Sequence, residues 1–145
     1  MNKERNAYVW LRKGILSVTP TARISRVENG VEDGMPDVNY CIRGIEGWIE
    51  LKAPKVPRRP STPLFAAGNH PLTLSQINWL LAHHQAGGRA WIGIYLPRHF
   101  LLLHANKGVV QMINSMAISA VTTLARASVT CPRDWSNLVN VLCTT

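Results

Sequence analysis

Several things are scarce in this sequence, and each shortage excludes something. Cysteine occurs only as Cys41, Cys131 and Cys143, with no Cys-x-x-Cys spacing. Neither a disulfide framework nor a zinc knuckle is therefore expected, and a reduced, cytoplasmic setting is the simplest reading. Charged residues make up 17% of 145 against 46% hydrophobic ones, which excludes a solvated coil or an intrinsically disordered tail. The Met-Asn-Lys-Glu-Arg-Asn start has no apolar signal-peptide core. Gly108–Ala125 carries no charge, but Gln111, Asn114, Ser115, Ser119, Thr122 and Thr123 interrupt it. Val109, Met112, Ile113, Met116, Ala120 and Leu124 recur there at helical spacing. An amphipathic helix is thus expected over 107–126, with no membrane partner. Internal repeats and low-complexity tracts are also missing.

Acid is the shortage with the most content. Residues 51–133 contain no Asp or Glu, yet they carry nine bases, among them Lys52, Lys55, Arg58, Arg59, Arg89 and Arg126. Residues 1–50 hold seven acids and seven bases, and the whole chain is +8. A one-signed tract of this length suggests a polyanionic partner, since each neutralised phosphate releases counterions.

The length fits a single domain. Residues 2–13 read as a helix ended by Gly14, and Leu16–Val27 as a strand with a break near its end. Asn29-Gly30 and Asp33-Gly34 are turn dipeptides. Asp37–Ile42 and Trp48–Ala53 read as a hairpin around a short turn at 43–47. Five prolines in residues 54–71 forbid regular structure, so that stretch reads as a stiff, exposed, basic loop. Thr73 or Ser75 then caps a helix that stops at Gly87-Gly88. Trp91–Leu96 is a strand buried on both faces, and Phe100–His104 a further strand. The expected fold is α/β, a central mixed sheet flanked by helices in the order αβββαββ plus a C-terminal helix.

In the hairpin, Glu50 and Lys52 project to one face and Ile49, Leu51 and Ala53 to the other. The hairpin folds Asp37 back toward the far end of the second strand. Two carboxylates and one ammonium then converge on one sheet edge, just before the basic loop. A carboxylate pair is a hard oxygen site for Mg²⁺ or Mn²⁺. Such a cation polarises a phosphoryl oxygen and acidifies water, while Lys52 orients that water or stabilises charge developing on phosphorus. The arrangement suits phosphodiester hydrolysis. Glu-x-Lys alone means little, and Gly-x-Pro-Asp alone is an ordinary turn. Their joint occurrence on a hairpin, followed by a capped helix bearing Gln76, is far more specific.

Gly34-Met35-Pro36-Asp37, twelve further residues, and then Glu50-Leu51-Lys52 resemble the motif of the PD-(D/E)XK nuclease superfamily. The helix opening at Leu74-Ser75-Gln76 resembles that of its VRR-NUC and Holliday-junction-resolvase-like branches, in which small stand-alone domains are familiar from bacteriophages. The resemblance spans residues 1–104 as a nuclease core. Residues 105–145 are left as a C-terminal helical extension that packs on the core or forms an oligomer interface. It implies a metal-dependent DNA endonuclease in which Asp37, Glu50 and the Leu51 carbonyl hold the metal. Lys52 and Gln76 would act beside it, joined by Glu4 as the acid of the first helix. Lys55, Arg58 and Arg59 would contact DNA. It implies Mg²⁺ or Mn²⁺, no small-molecule organic cofactor, and the host-cell cytoplasm as the location if phage-encoded. A junction-selective enzyme would be a homodimer, and a nicking enzyme could be a monomer. Two departures stand out. Leu80 occupies a position that some branches give to Tyr, and Glu32 or Asp33 could replace Asp37 or Glu4 as ligand. The alternative is a nucleic-acid-binding module that keeps the fold without catalysis. His83 and His84, about 100° apart on a helix, read as ordinary surface or partly buried histidines, and Cys41 as a buried strand residue.

Overall fold

The computed structural model describes residues 3–28, 32–130 and 134–144; the Asn29-Gly30 turn and Cys131 lie outside these. Six strands form one mixed sheet in sequential order: β1 (Arg23–Arg26), β2 (Val38–Ile42), β3 (Ile45–Lys52), β4 (Ala90–Tyr95), β5 (Phe100–His104) and β6 (Ala127–Val129). All neighbours are antiparallel except β3 and β4, which run parallel. A parallel pair needs a crossover, and the proline-rich loop with α2 (Leu74–Gln85) supplies it.

Helices cover both faces of the sheet. Ala7, Leu11 and Ile15 of α1 (Lys3–Val18) and Leu138, Val139 and Leu142 of α5 (Trp135–Leu142) pack on Tyr40, Ile49, Leu51 and Phe100. Leu80 of α2, Val109 and Val110 of α3 (Lys107–Met112) and Val121 of α4 (Ile118–Leu124) pack on Ile92, Ile94, Leu101 and Leu103. No described helix is long and apolar enough to cross a membrane.

Several local expectations are corrected. The first helix runs through Gly14 to Val18, so there is no strand at Leu16–Val18. A Cβ at Gly14 would collide with the Trp135 ring, so this glycine serves helix packing rather than termination. Burial of Ile15 against the core outweighs the β-propensity of the following residues. The 107–126 helix is broken into α3, a 3-10 turn at Ile113–Ser115 and α4. Between them the chain opens out, because Met116 O accepts from Leu64 N (2.9 Å) and Ala117 bridges to Pro63. The 54–71 loop holds no helix or strand, but Leu64 and Phe65 are buried in the core, so it is anchored at its middle. Cys41 is half-buried rather than buried, on the partly exposed face of β2. The sequence reading contained neither β6 nor α5 as such.

Candidate active site

The hairpin turn is shorter than five residues. Arg43 and Gly44 alone form it, with φ of 54° and 79°, the two left-handed positions of a type I′ turn whose twist matches the strands. That turn fixes the register Val38↔Ile49, which sets Asp37, one residue earlier, beside Glu50. Gly34 positions the approach to Asp37. Its φ of 81° suits glycine, and a Cβ there would run into the Ser75 carbonyl. The loop before Asp37 therefore lies directly on the first turn of α2.

Asp37 Oδ2 accepts from Leu51 N at 3.1 Å, aiming the carboxylate at the edge of β3. Glu50 lies between β2 and β4 and is only 2% exposed. Its Oε1 has no hydrogen-bond partner. Its Oε2 receives Gln76 Nε2 at 3.4 Å and lies 4.0 Å from Lys52 Nζ. Two opposing influences act on this carboxyl. Burial, first, and then the Asp37 charge push its pKa well above the usual carboxylate range, while Lys52 pulls it down. Burial prevails, because the Lys52 contact is long and the low-dielectric surroundings penalise charge. The neighbouring Asp37 side chain and the Glu4 charge push in the same direction.

Lys52, 6% exposed, is held in place. Its Nζ donates to Gln76 Oε1 at 3.0 Å and to Pro71 O at 3.3 Å. Gln76 has two jobs. It completes a capping box with Thr73, donating its backbone N–H to Thr73 Oγ1 (3.2 Å) and accepting Thr73 N–H at Oε1 (3.0 Å). The same Oε1 takes Lys52, so a flipped amide would set its NH₂ against two donors. Thr73, not Ser75, is thus the cap, and the helix start orients the lysine.

Asp37, Glu50, Leu51, Lys52 and Gln76 are brought together. Glu4 sits half-buried in the first turn of α1, 4.0 Å from His70, and reaches Glu50 through its charge. Among the described residues, no three His, Cys, Asp or Glu side chains gather as a ready metal cluster. Lys55, Arg58 and Arg59 are exposed on the loop after β3. A cleft of about 240 Å³ opens beside Asp37, lined also by Asp33, Gly34, Thr73, Ser75 and Gln76. A groove of about 560 Å³ continues along α2 past Glu32, Asp33 and Trp79, which places these two acids on the approach. Leu80, where some nucleases carry Tyr, is fully buried. His83 stacks on Trp79 (4.6 Å) and His84 meets His104 edge-on (5.6 Å); Trp48 packs on Trp79. The sequence reading missed His70 and the Pro71 carbonyl, which only the crossover loop's path brings to the site.

Burial of an unpartnered carboxylate oxygen against a second carboxyl suits a divalent cation, which would satisfy both acids. The residues present fit such an ion.

No protein-family model matches the chain, and no curated protein matches it in sequence. Among solved structures, the archaeal Holliday junction resolvase Hjc of Archaeoglobus fulgidus aligns with a TM-score of 0.53. The alignment covers 86% of this chain and 91% of that one, at 20% identity. The two share a fold. At this identity the likeness speaks for architecture, and the six-stranded sheet flanked by helices is accordingly resolvase-like.

Proposed function

We propose that the protein is a metal-dependent DNA endonuclease of the PD-(D/E)XK superfamily that hydrolyses phosphodiester bonds. The observation that carries this reading is the unpartnered Glu50 Oε1, buried against Asp37 and flanked by a lysine whose position is fixed by Gln76. A purely structural ion pair would leave no oxygen unmatched. Asp37, Glu50 and the Leu51 carbonyl would hold Mg²⁺ or Mn²⁺, which when bound polarises a phosphoryl oxygen and acidifies water. Lys52 commits two N–H donors to Pro71 O and Gln76 Oε1, leaving a third for charge developing on the phosphate. Gln76 stands in the first turn of α2, where the helix dipole favours a phosphate. Lys55, Arg58 and Arg59 extend the contact along the backbone.

The resolvase-like fold supports branched or four-way-junction DNA as the substrate class to try first. Cutting such a two-fold substrate symmetrically calls for a homodimer. The deciding experiment incubates the protein with plasmid, linear duplex and four-way-junction DNA, with Mg²⁺, with Mn²⁺ or with EDTA. Metal-dependent nicking or resolution is expected. A folded protein that binds DNA yet cuts none of these would leave a binding module in place of an enzyme.

A further inference from the structure

Beyond the cleft at Asp37, a further cavity of about 470 Å³ opens at the same end of the sheet. It lies where the parallel strands β3 and β4 both end, the position at which α/β sheets commonly take ligands. One wall is Ala53, Pro54, Lys55 and Val56, which begins one residue after Lys52; the other is Tyr95, Leu96 and Pro97. Lys3, next to Glu4 at the start of α1, closes a third side.

Three features distinguish this cavity from an incidental surface hollow. Its lining is mostly apolar, yet Lys3 and Lys55 put two ammonium groups on it with no acid among the lining residues. Val56 is left 49% exposed, a large apolar side chain facing solvent directly behind a charged site. The wall carrying Lys55 is also braced: Asn69 Oδ1 accepts from Lys55 N at 2.8 Å, and Asn69 Nδ2 donates to Lys55 O and Leu64 O at 2.7 Å each. Tyr95 is braced in turn by an edge-on contact with Trp10 at 5.4 Å. Rigid apolar walls with two cations fit a ligand that joins a flat ring to a phosphate.

We propose that this cavity receives one unpaired nucleotide of the DNA whose neighbouring phosphodiester lies at Asp37, Glu50 and Lys52. The base lies against Tyr95 and the flanking prolines, and its phosphates face Lys3 and Lys55. A paired base keeps its faces stacked and its edge engaged, so an intact duplex offers only its backbone here. The proposal deepens the nuclease reading and rests on it for the position of the scissile bond. It makes a single-stranded tail, flap or open junction arm the preferred substrate.

The test is binding in EDTA, where no cutting occurs. A duplex with a single-stranded tail carrying 2-aminopurine is compared with a blunt duplex of the same length, using the wild type, Val56→Asp and Tyr95→Leu. The tailed duplex should bind about tenfold tighter, the scale of one stacked base, with quenched 2-aminopurine emission. Both variants should bring the tailed duplex to the blunt level. Val56 is exposed, so its variant keeps the test sharp even if loss of the Trp10 contact unfolds Tyr95→Leu. Equal binding of both DNAs by the wild type, or a preference that survives in folded Val56→Asp, would overturn the proposal. A tail preference without metal-dependent cleavage would defeat the nuclease reading and leave the pocket standing. Cleavage without the preference would do the reverse.

Discussion

Replacing Glu50 with glutamine should make the metal-free protein more stable in mildly alkaline buffer, an unusual outcome for a buried substitution. The carboxyl is 2% exposed, its Oε1 has no partner, and Asp37 lies against it. A carboxamide has nearly the same shape, can accept Gln76 Nε2 and can donate to Asp37. Removing a buried unsatisfied polar group of this kind is worth about 1–3 kcal/mol. At about 2–4 °C per kcal/mol for a chain of this size, melting should rise by roughly 2–12 °C. The pH dependence follows from the direction of the shift. Glu50 has a raised pKa when folded, so its favourable protonated form is fully present below the unfolded value of about 4.3. That contribution is lost as pH rises through the folded pKa. The variant's advantage should therefore vanish in acid and grow toward alkaline pH. On the proposed metal reading, Mn²⁺ at a hundred times its Kd should add about 2.7 kcal/mol to the wild type and little to the variant, offsetting or reversing that advantage. Differential scanning fluorimetry across pH, with EDTA or Mn²⁺, reads all of this. A variant that melts below the wild type in alkaline EDTA would refute the reasoning.

Asp37→Ala and Lys52→Ala should each lower the cleavage rate by at least about 100-fold, with binding to the same DNA in EDTA largely kept; full activity in either would misplace the site. Gln76→Ala should cost about 0.5–1.5 kcal/mol through the lost Thr73 N–H bond and also slow cleavage, as Lys52 loses one of its two acceptors. Gln76→Glu preserves the capping box but puts a charge beside Glu50, so near-wild-type cutting by it would deny Gln76 its place in the site. Gly34→Ala should destabilise by more than about 1 kcal/mol, since both its φ and the Ser75 carbonyl oppose a side chain; thermal melting checks it.

Much of the sheet could be read from the chain because its signals are local. The alternation in Val38–Ile42, the apolar run Ala90–Tyr95 and the Thr73 cap each lie within a few residues. What stayed hidden depends on distant partners. Gly14 looked like a helix end because nothing nearby shows that Trp135 will rest on it. The 107–126 segment has helical periodicity throughout, yet the Leu64–Met116 hydrogen bond and the Pro63–Ala117 bridge open it. Polar spacing likewise gave no warning that Leu64 and Phe65 would anchor the proline-rich loop.

The site shows the same division more sharply. Hairpin geometry alone brings Asp37 to Glu50, since a two-residue turn fixes which residues face each other. Lys52 follows from alternation on one strand. What the pattern does not contain is the order imposed on these groups from outside the hairpin. Pro71 O and Gln76 Oε1 meet at Lys52, and the Thr73 N–H shares that Gln76 oxygen, only because the crossover loop turns back over β3 before α2 begins. The absence of acids from the loop between Lys52 and Thr73 fits this arrangement. Every residue the loop lays over the Asp37–Glu50 pair must avoid adding a third buried negative charge, which would raise the cost of ionising Glu50 still further. Glu4, coming from α1, is one acid tolerated nearby, and it stands 4.0 Å from His70 on that loop. A carboxylate introduced at Pro71 or Leu72 should accordingly weaken the metal-free fold more in alkaline than in acid buffer, beyond the loss of packing that Pro71→Ala or Leu72→Ala causes.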